Sequence, residues 1–503
     1  MPRFQPIDRD TPLELPLSLQ DWLPEGHLAR DVVEVVDALD LSALEQAYAG
    51  RGSPPDHPAM RLSRLIDGYA TGGYSSRKIE WATFDSVAFR FIACHHHPDH
   101  ATLATFRGRF ATEFEAVFVQ VLEVARTNQL RCFGRVSLDG TKPVLSEAEG
   151  IHANASRHSA LSDGHAETLE AHLKAAVQDL LALAAPADGV NTPDGLNLPE
   201  ELQRREDRLA AIAAANAKRE ARAAQRFACE QADHEAQLAA RAANAAAGGR
   251  KPGGKPPQAP IPGPRPNDQR NLTDEASRIL PVSGGGFEPC DNAQAVVDTE
   301  SLLILVAPVT QAPNDKEPLA PMVERVQALP EGLNPPKEWL AEAGDFRESN
   351  VVACEAAGST PLIAIKREQH HPHWSERFGE PPALRPDATP VERLAHRLKS
   401  RAGRAADALR KQTVEPVFGI VKSVMGFRQF LTRGLANVQH EWTLVCLAWN
   451  RKRLAVLRPP SGIRKGKPRF FPTTGYFSPQ TALPGPKPAI PRGKSDRLLV
   501  PRA

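Results

Sequence analysis

The 503-residue chain contains no run of about 18 apolar residues, the minimum for a membrane-spanning helix, so we predict no membrane partner. The first ten residues, MPRFQPIDRD, lack the apolar core of a secretory signal. The six cysteines are scattered and lack the paired spacing of a disulfide framework or a zinc finger. Unpaired cysteines of this kind indicate reduced thiols, so we expect a cytoplasmic protein.

Net charge is also nearly absent, at +2, but the charges are unevenly distributed. Residues 451–503 contain thirteen Lys and Arg against one acid, Asp496, which leaves −10 on the other 450 residues. A basic C-terminal segment predicts a polyanionic partner, most simply nucleic acid, although a solvated tail without a partner gives the same pattern. From residue 458 the chain is also rich in proline, and we predict that 458–503 is a disordered tail.

Residues 1–130 show helical periodicity and are predicted to form an all-α domain. Apolar side chains recur at helical spacing between Met60 and Tyr69, and GGYSS then interrupts the pattern and supplies serines as helix N-caps. Helix, small-residue turn and helix outline a helix-turn-helix, and Arg77 and Lys78 would open its second helix. A helical bundle that does not bind DNA would show a similar pattern.

Residues 161–280 have a different composition. Up to about residue 247 this segment is rich in Ala, Glu, Arg and Gln, which are strong helix formers. A linker of Pro, Gly and basic residues follows, and its composition predicts no packed core. We predict an exposed helix or helical hairpin; a coiled-coil dimer is the weaker alternative because no heptad is sustained.

Strand patterns lie on both sides of this middle segment. GRVSLDGT (134–141) alternates apolar and polar residues, and AQAVVD (293–298) with SLLILVAPV (301–309) predicts a hairpin. Further along, EWLAEAG and PLIAIK are predicted strands that enclose the helix ESNVVACEAAG. A hairpin followed by strand and helix alternation predicts an α/β domain with a mixed five-stranded sheet flanked by helices.

Acidic residues stand at the ends of two of these strands. Asp139 ends the first strand and Glu342 ends EWLAEAG, while Glu415 borders the apolar stripe of a later helix that also carries Lys422. Three carboxylates at one edge of a sheet would suit Mg²⁺, which prefers oxygen ligands and needs few from the protein. For Asp139 a hairpin turn is the alternative, because Asp-Gly is a common turn dipeptide.

These motifs resemble those of bacterial insertion-sequence transposases of the DDE type. That family combines an RNase H-like catalytic domain with an InsH-like helical N-terminal domain and a helical insertion after the first catalytic Asp. The segments that match are YATGGYSSRKIE, PDHATLATFR, LDGTK, IHANAS, NLTDEASRI, NAQAVVD, VTQAPNDKEPL, PLIAIKRE and RKQTVEPVFGIVKSVMGFRQFLTRG. The resemblance implies a DNA-binding domain (1–130), a discontinuous catalytic domain (131–160 and 281–457) and an insertion with its linker (161–280).

The resemblance also implies roles for single residues. Asp139, Glu342 and Glu415 would be the catalytic carboxylates and would hold two Mg²⁺ ions at the scissile phosphate. Lys422 would contact DNA near the transposon end. Arg410 and Lys411, either of which matches the basic residue upstream of Glu415, would also contact DNA.

The partner implied by the resemblance is double-stranded DNA, both the transposon ends and the target. Arg428 and Arg433 would add phosphate contacts. Family members act on paired ends as homodimers or larger assemblies, in the bacterial cytoplasm at the nucleoid.

Four residues and one segment depart from the family pattern. Glu342 stands in AEAGD where the family usually has ADAGY, and Asp291, Asp345 and Asp407 each stand where a Tyr is usual. The segment 143–150 is additional. A carboxylate in place of a buried Tyr is costly, so we predict a weakly active transposase. The alternatives are a non-catalytic DNA-binding relic that represses at transposon ends and a generic RNase H-like nuclease, which the helical N-terminal domain disfavours.

Overall fold

A computed structural model describes most of the chain between residues 18 and 457. The described ranges are 18–48, 56–128, 134–140, 151–161, 163–184, 197–248, 257–265, 270–274, 276–282, 286–310, 319–333, 336–365 and 379–457. The predictions for the additional segment 143–150 and for the tail 458–503 concern residues outside these ranges.

The N-terminal part is helical, as predicted. Its helices are α1 (Leu19–Trp22), α2 (Leu28–Asp37), α3 (Ser42–Gln46), α4 (Pro58–Thr71), α5 (Ser76–Asp85), α6 (Val87–Ile92), α7 (His100–Arg109) and α8 (Glu113–Thr127). Helix α4 ends at Gly72, which has a left-handed φ of 87°. At Gly68 a side chain would lie 2.7 Å from Ile79 Cδ1, so glycine lets α4 and α5 approach closely. Ser75 is the N-cap residue of α5 but makes no side-chain capping bond, contrary to the capping role predicted for this segment.

The remaining helices and strands form the α/β part and the insertion. The helices are α9 (Asp163–Ala184), α10 (Leu198–Gly248), α11 (Leu319–Gln327), α12 (Glu348–Ala356), α13 (Pro390–Lys399), α14 (Arg401–Lys411), α15 (Val414–Ser423) and α16 (Leu435–Leu457). The strands are β1 (Arg135–Gly140), β2 (Ala160–Leu161), β3 (Arg270–Asn271), β4 (Arg278–Val282), β5 (Gly286–Cys290), β6 (Asn292–Asp298), β7 (Ile304–Val306), β8 (Val309–Thr310), β9 (Glu338–Ala341) and β10 (Thr360–Ile363).

The central sheet is mixed, as the sequence predicts. Its strand order is β10-β9-β1-β6-β7, and the short β8 pairs with the start of β6 as a sixth strand. Strand β1 runs parallel to β9 and antiparallel to β6. Asp139 and Gly140 both remain in β1, opposite Ala295 and Gln294. The Asp-Gly pair is therefore part of a central strand, and the alternative of a hairpin turn at Asp139 is wrong.

Alternate residues of β1 contact different cores, which defines the two faces of the sheet. Val136 and Leu138 pack in a cluster with α11 and α12. Ala295, which lies opposite Asp139, belongs instead to the cluster formed with α15, α16 and the N-terminal helices. Asp139 therefore lies on the face that α15 covers.

Helix α16 joins the N-terminal helices to the sheet. It packs against α2, α4 and α8 and also against β7 and β8. Buried Arg451 lies 3.3 Å from the Asp31 carboxylate, and Lys452 Nζ donates to Ala70 O at 2.7 Å. Because these elements share one apolar cluster, the N-terminal helices and the sheet are packed on each other.

The middle of the chain contains a helical hairpin, α9 against α10, as predicted. The described part of the Pro/Gly linker, residues 257–265, lies along α10. Arg226 donates to Gly263 O at 2.9 Å, and Arg265 pairs with Glu230 at 2.7 Å. Two small antiparallel pairs, β2 with β3 and β4 with β5, were not predicted from the sequence. Neither pair belongs to the central sheet. In the described ranges no helix is both long and apolar enough to cross a membrane.

Candidate active site

The first predicted carboxylate, Asp139, lies near the end of β1 and is partly exposed. The following residue must be small: a Cβ on Gly140 would lie 2.2 Å from Gln294 Nε2 and 2.7 Å from Asn292 Oδ1. These two amides are buried and hydrogen-bonded to each other at 2.9 Å. Glycine therefore lets the strand pass this amide pair directly after Asp139.

Glu342 follows β9, the strand beside β1. The parallel register pairs Ser137 with Leu340, so Asp139 and Glu342 come two residues later at the same end of neighbouring strands. Residues two apart on a strand share a face, and Leu340 faces Ala406 of α14. Asp139 and Glu342 thus lie at one edge of the sheet, on the face covered by α14 and α15.

The Glu342 carboxylate contacts Arg410, at 2.6 Å between Oε1 and Nη1. The Glu342 backbone N–H donates to Asp345 Oδ2 at 3.1 Å, within a short 3₁₀ turn over 343–345. Asp345 is buried and its carboxylate points back to the turn. Asp345, which stands where the family usually has Tyr, therefore caps the 3₁₀ turn that follows β9.

Glu415 is exposed in the first turn of α15, which packs against β1 and β6. The three predicted acids are thus placed on adjoining elements of one face. Among the residues that the structure describes, no three His, Cys, Asp or Glu side chains form a group that could hold a metal ion. The donors fit Mg²⁺ in their chemistry, because each is a carboxylate, while the Glu342 side chain is engaged by Arg410.

The predicted DNA contacts of the α/β part lie at the end of α14, near the C-terminal end of α15 and in the segment after it. Lys422 is buried, with Nζ 5.8 Å from the centroid of the Phe418 ring. Arg428 is exposed and its Nε donates to Lys422 O at 3.3 Å. Arg433 is exposed and donates to Asn154 O at 2.9 Å. Lys411 is exposed at the end of α14.

The turn between α4 and α5 contacts the segment after α15 directly. The Tyr74 hydroxyl in the turn donates to Met425 O at 2.5 Å, and the Tyr74 ring meets Phe427 edge-on at 5.0 Å. Arg77 and Lys78 are exposed in the first turn of α5, immediately after this contact. The basic residues of both parts therefore lie on elements that touch each other. Sequence reasoning missed Tyr74 as the link, although it is the central residue of GGYSS.

Two of the motifs that resemble the family form hydrogen bonds with the segment after α15. In IHANAS, the His152 N–H donates to Arg428 O at 2.9 Å, and Asn154 Nδ2 donates to Leu431 O at 2.7 Å. In NLTDEASRI, Asp274 Oδ2 accepts from Gly434 N at 3.1 Å. No chemical role was predicted for these residues, and the signal that pointed to them was only their presence in motifs that resemble the family.

Asp291, another departure, is buried between β5 and β6. It is 2% exposed, and its Oδ2 has no hydrogen-bond partner in the described part of the chain. Burial, with the nearby charge of Asp274, raises the pKa of the Asp291 carboxyl from 3.8 to about 7, and Arg278 offsets only part of this rise. The ionised carboxylate is thus unfavourable at this position, as expected where a carboxylate replaces a buried Tyr.

Comparison with protein families matches two parts of the chain. Residues 17–109 match a transposase domain family (DUF772), which covers α1 to α7. Residues 383–455 match a transposase DDE domain, which covers α13 to α15 and most of α16. The two matches support an insertion-sequence transposase of the DDE type. The second match contains Arg410, Glu415 and Lys422. No curated protein and no solved structure matches the chain.

Proposed function

We propose that the chain binds the ends of an insertion sequence and cleaves and transfers DNA strands with the help of Mg²⁺. In this proposal the sheet and its helices are an RNase H-like catalytic domain, and Asp139, Glu342 and Glu415 are the catalytic carboxylates. The observation that supports it best is that Asp139 lies near the end of β1, Glu342 follows the neighbouring β9, and Glu415 lies on α15, which packs against β1. The chain also has two transposase matches.

The acids would hold two divalent cations. When bound, such ions offset the negative charge that develops on a phosphate during displacement. The chain supplies the oxygen donors and a fixed strand edge on which to place them. Glu342 is one methylene longer than the Asp usual in the family. That difference exceeds the roughly 0.5 Å tolerance of a catalytic constellation, so we propose that the chain is slow.

The basic residues would hold the DNA. Arg77 and Lys78 at the start of α5 are placed to enter or flank a groove. Lys422, Arg428 and Arg433 would neutralise phosphates close to the acids. Because Tyr74 joins the two parts through Met425, one duplex could contact both without rearrangement of the packed helices.

The test uses DNA that carries the inverted repeats flanking the gene and a scrambled duplex of equal length. With Mg²⁺ present, the proposal predicts binding that prefers the repeats and slow cleavage at their ends. Preferential binding with no cleavage after prolonged incubation would favour a repressor. Cleavage of both duplexes at equal rates would favour a generic nuclease, and either result would contradict the proposal.

A further inference from the structure

Helix α14 is held over the end of β9 by a tight corner. Ser400 ends α13 and begins α14: its Oγ donates to Arg397 O at 2.7 Å and accepts from Gly403 N at 3.0 Å. A Cβ on Gly403 would lie 1.9 Å from Arg397 O, so the corner requires glycine. Ala406 then packs on Leu340 of β9. This fixed packing sets where the last turn of α14 lies.

That last turn places Arg410 between two carboxylates. Its Nη1 lies 2.6 Å from Glu342 Oε1, and its Nε lies 3.3 Å from Asp407 Oδ1. The Arg410 side chain is only 13% exposed, whereas those of Glu342 and Asp407 are 36% and 39% exposed. Burial alone would lower the pKa of the guanidinium, but the two carboxylates outweigh burial and raise that pKa. Arg410 is therefore a permanent cation shared by both acids.

We propose that Arg410 competes with the divalent cation for Glu342, and that Asp407 moderates this competition by holding part of the guanidinium. The inference rests on the proposed function, in which Glu342 is a metal ligand. An arginine in a charge-assisted hydrogen bond occupies an oxygen lone pair that a metal would need and places a like charge beside it. Asp407 engages Nε and so limits how far the guanidinium can turn to bind Glu342 with two nitrogens. Asp407 is thus a positioning residue, which acts on Glu342 through Arg410.

The direct measurement is Mn²⁺ binding to the full chain without DNA, followed by the electron paramagnetic resonance signal of free Mn²⁺. Removing the competing charge in Arg410→Gln should tighten binding about fivefold, the effect of one partly exposed ion pair. Asp407→Asn should weaken binding about threefold, because Arg410 then serves Glu342 alone. Arg397→Gln is the matched control: Arg397 pairs with Glu355 at 3.4 Å on neighbouring helices, and its loss should leave Mn²⁺ binding unchanged.

A double variant separates positioning from simple loss of negative charge. In the Arg410→Gln background, Asp407→Asn should no longer change the Mn²⁺ affinity, because the residue through which it acts is gone. An equal weakening in both backgrounds would show that Asp407 acts as a distant charge and would overturn the inference. The Asp407 side chain is 39% exposed, so Asp407→Asn should fold even if Arg410→Gln reduces stability. Arg410→Lys then serves as the charged background, in which Asp407→Asn should still weaken binding.

Failure of the inference and failure of the proposed function give different results. If Glu342→Gln leaves the Mn²⁺ affinity unchanged, Glu342 is not a ligand and its assignment in the proposed function is wrong. If Glu342→Gln weakens binding while Arg410→Gln leaves it unchanged or weakens it, the competition is refuted and the assignment of Glu342 stands.

Discussion

The carboxylate of Asp291 should make the stability of this chain fall as pH rises. Its folded-state pKa of about 7 lies above the ordinary 3.8, so the folded state retains a proton that the unfolded state has lost. The contribution of Asp291 to stability is therefore fully present below pH 4 and is lost as pH rises from about 4 to 7. A pKa difference of this size corresponds to about 4 kcal/mol above pH 7.

The change Asp291→Asn removes the titration while it keeps the size of the side chain. Relative to the unmodified chain, the variant should gain about 2 to 4 kcal/mol of unfolding free energy at pH 8, and its effect should be less favourable by about 3 kcal/mol at pH 4.5. The lower figure allows for an amide that is also imperfectly hydrogen-bonded in this position.

Urea unfolding at pH 4.5, 6 and 8, followed by circular dichroism, measures this difference. Asp387→Asn is the control for the loss of one carboxylate at an exposed position, and it should not reproduce the gain in stability at pH 8. If Asp291→Asn has the same effect at pH 4.5 and pH 8, or destabilises the chain at pH 8, the reasoning from a buried and unpartnered carboxylate is wrong.

Three further predictions concern the corner, the DNA surface and the strand edge. Gly403→Ala should destabilise the chain by about 1 to 3 kcal/mol in urea unfolding, because its methyl group would overlap backbone; an unchanged midpoint would contradict the tight corner. Removing Arg77 and Lys78 by Ala substitution should reduce the slope of log affinity against log salt by about 2 in filter binding, and an unchanged slope would exclude them from phosphate contact. Shortening Glu342→Asp should raise the rate of end cleavage at least about tenfold, near 1.4 kcal/mol in the barrier. The control Glu348→Asp, at an exposed position, should not change that rate, and a Glu342→Asp rate equal to that of the unmodified chain would show that Glu342 is already well placed.

Local patterns in the sequence were enough to predict most elements of the sheet. The alternation in residues 134–141 and the apolar run around residue 304 predicted β1, β6 and β7, and EWLAEAG and PLIAIK predicted β9 and β10. Side chains alternate between the two faces of a sheet, and one face must be buried. A few consecutive residues are therefore enough to reveal a strand. The sequence predicted five strands in a mixed sheet but not their order, which depends on pairings between distant strands.

Contacts between distant parts of the chain could not be predicted in this way. Arg410 and Glu342 are 68 positions apart, and Tyr74 and Met425 are 351 positions apart. No periodicity within a window of one helix carries information about such pairs. The resemblance placed Arg410 near the site but assigned it to DNA, whereas its contact with Glu342 depends on how Gly403 and Ala406 set α14 on the sheet.

The central claim is that DNA cleavage depends on the acids at the edge of the sheet. The most direct test is the single-turnover rate of end cleavage by the full chain and by Asp139→Asn, with end binding measured in parallel. The account predicts unchanged end binding and a rate lower by at least about a hundredfold, near 2.7 kcal/mol in the barrier. Cleavage by Asp139→Asn at the rate of the unmodified chain would contradict it.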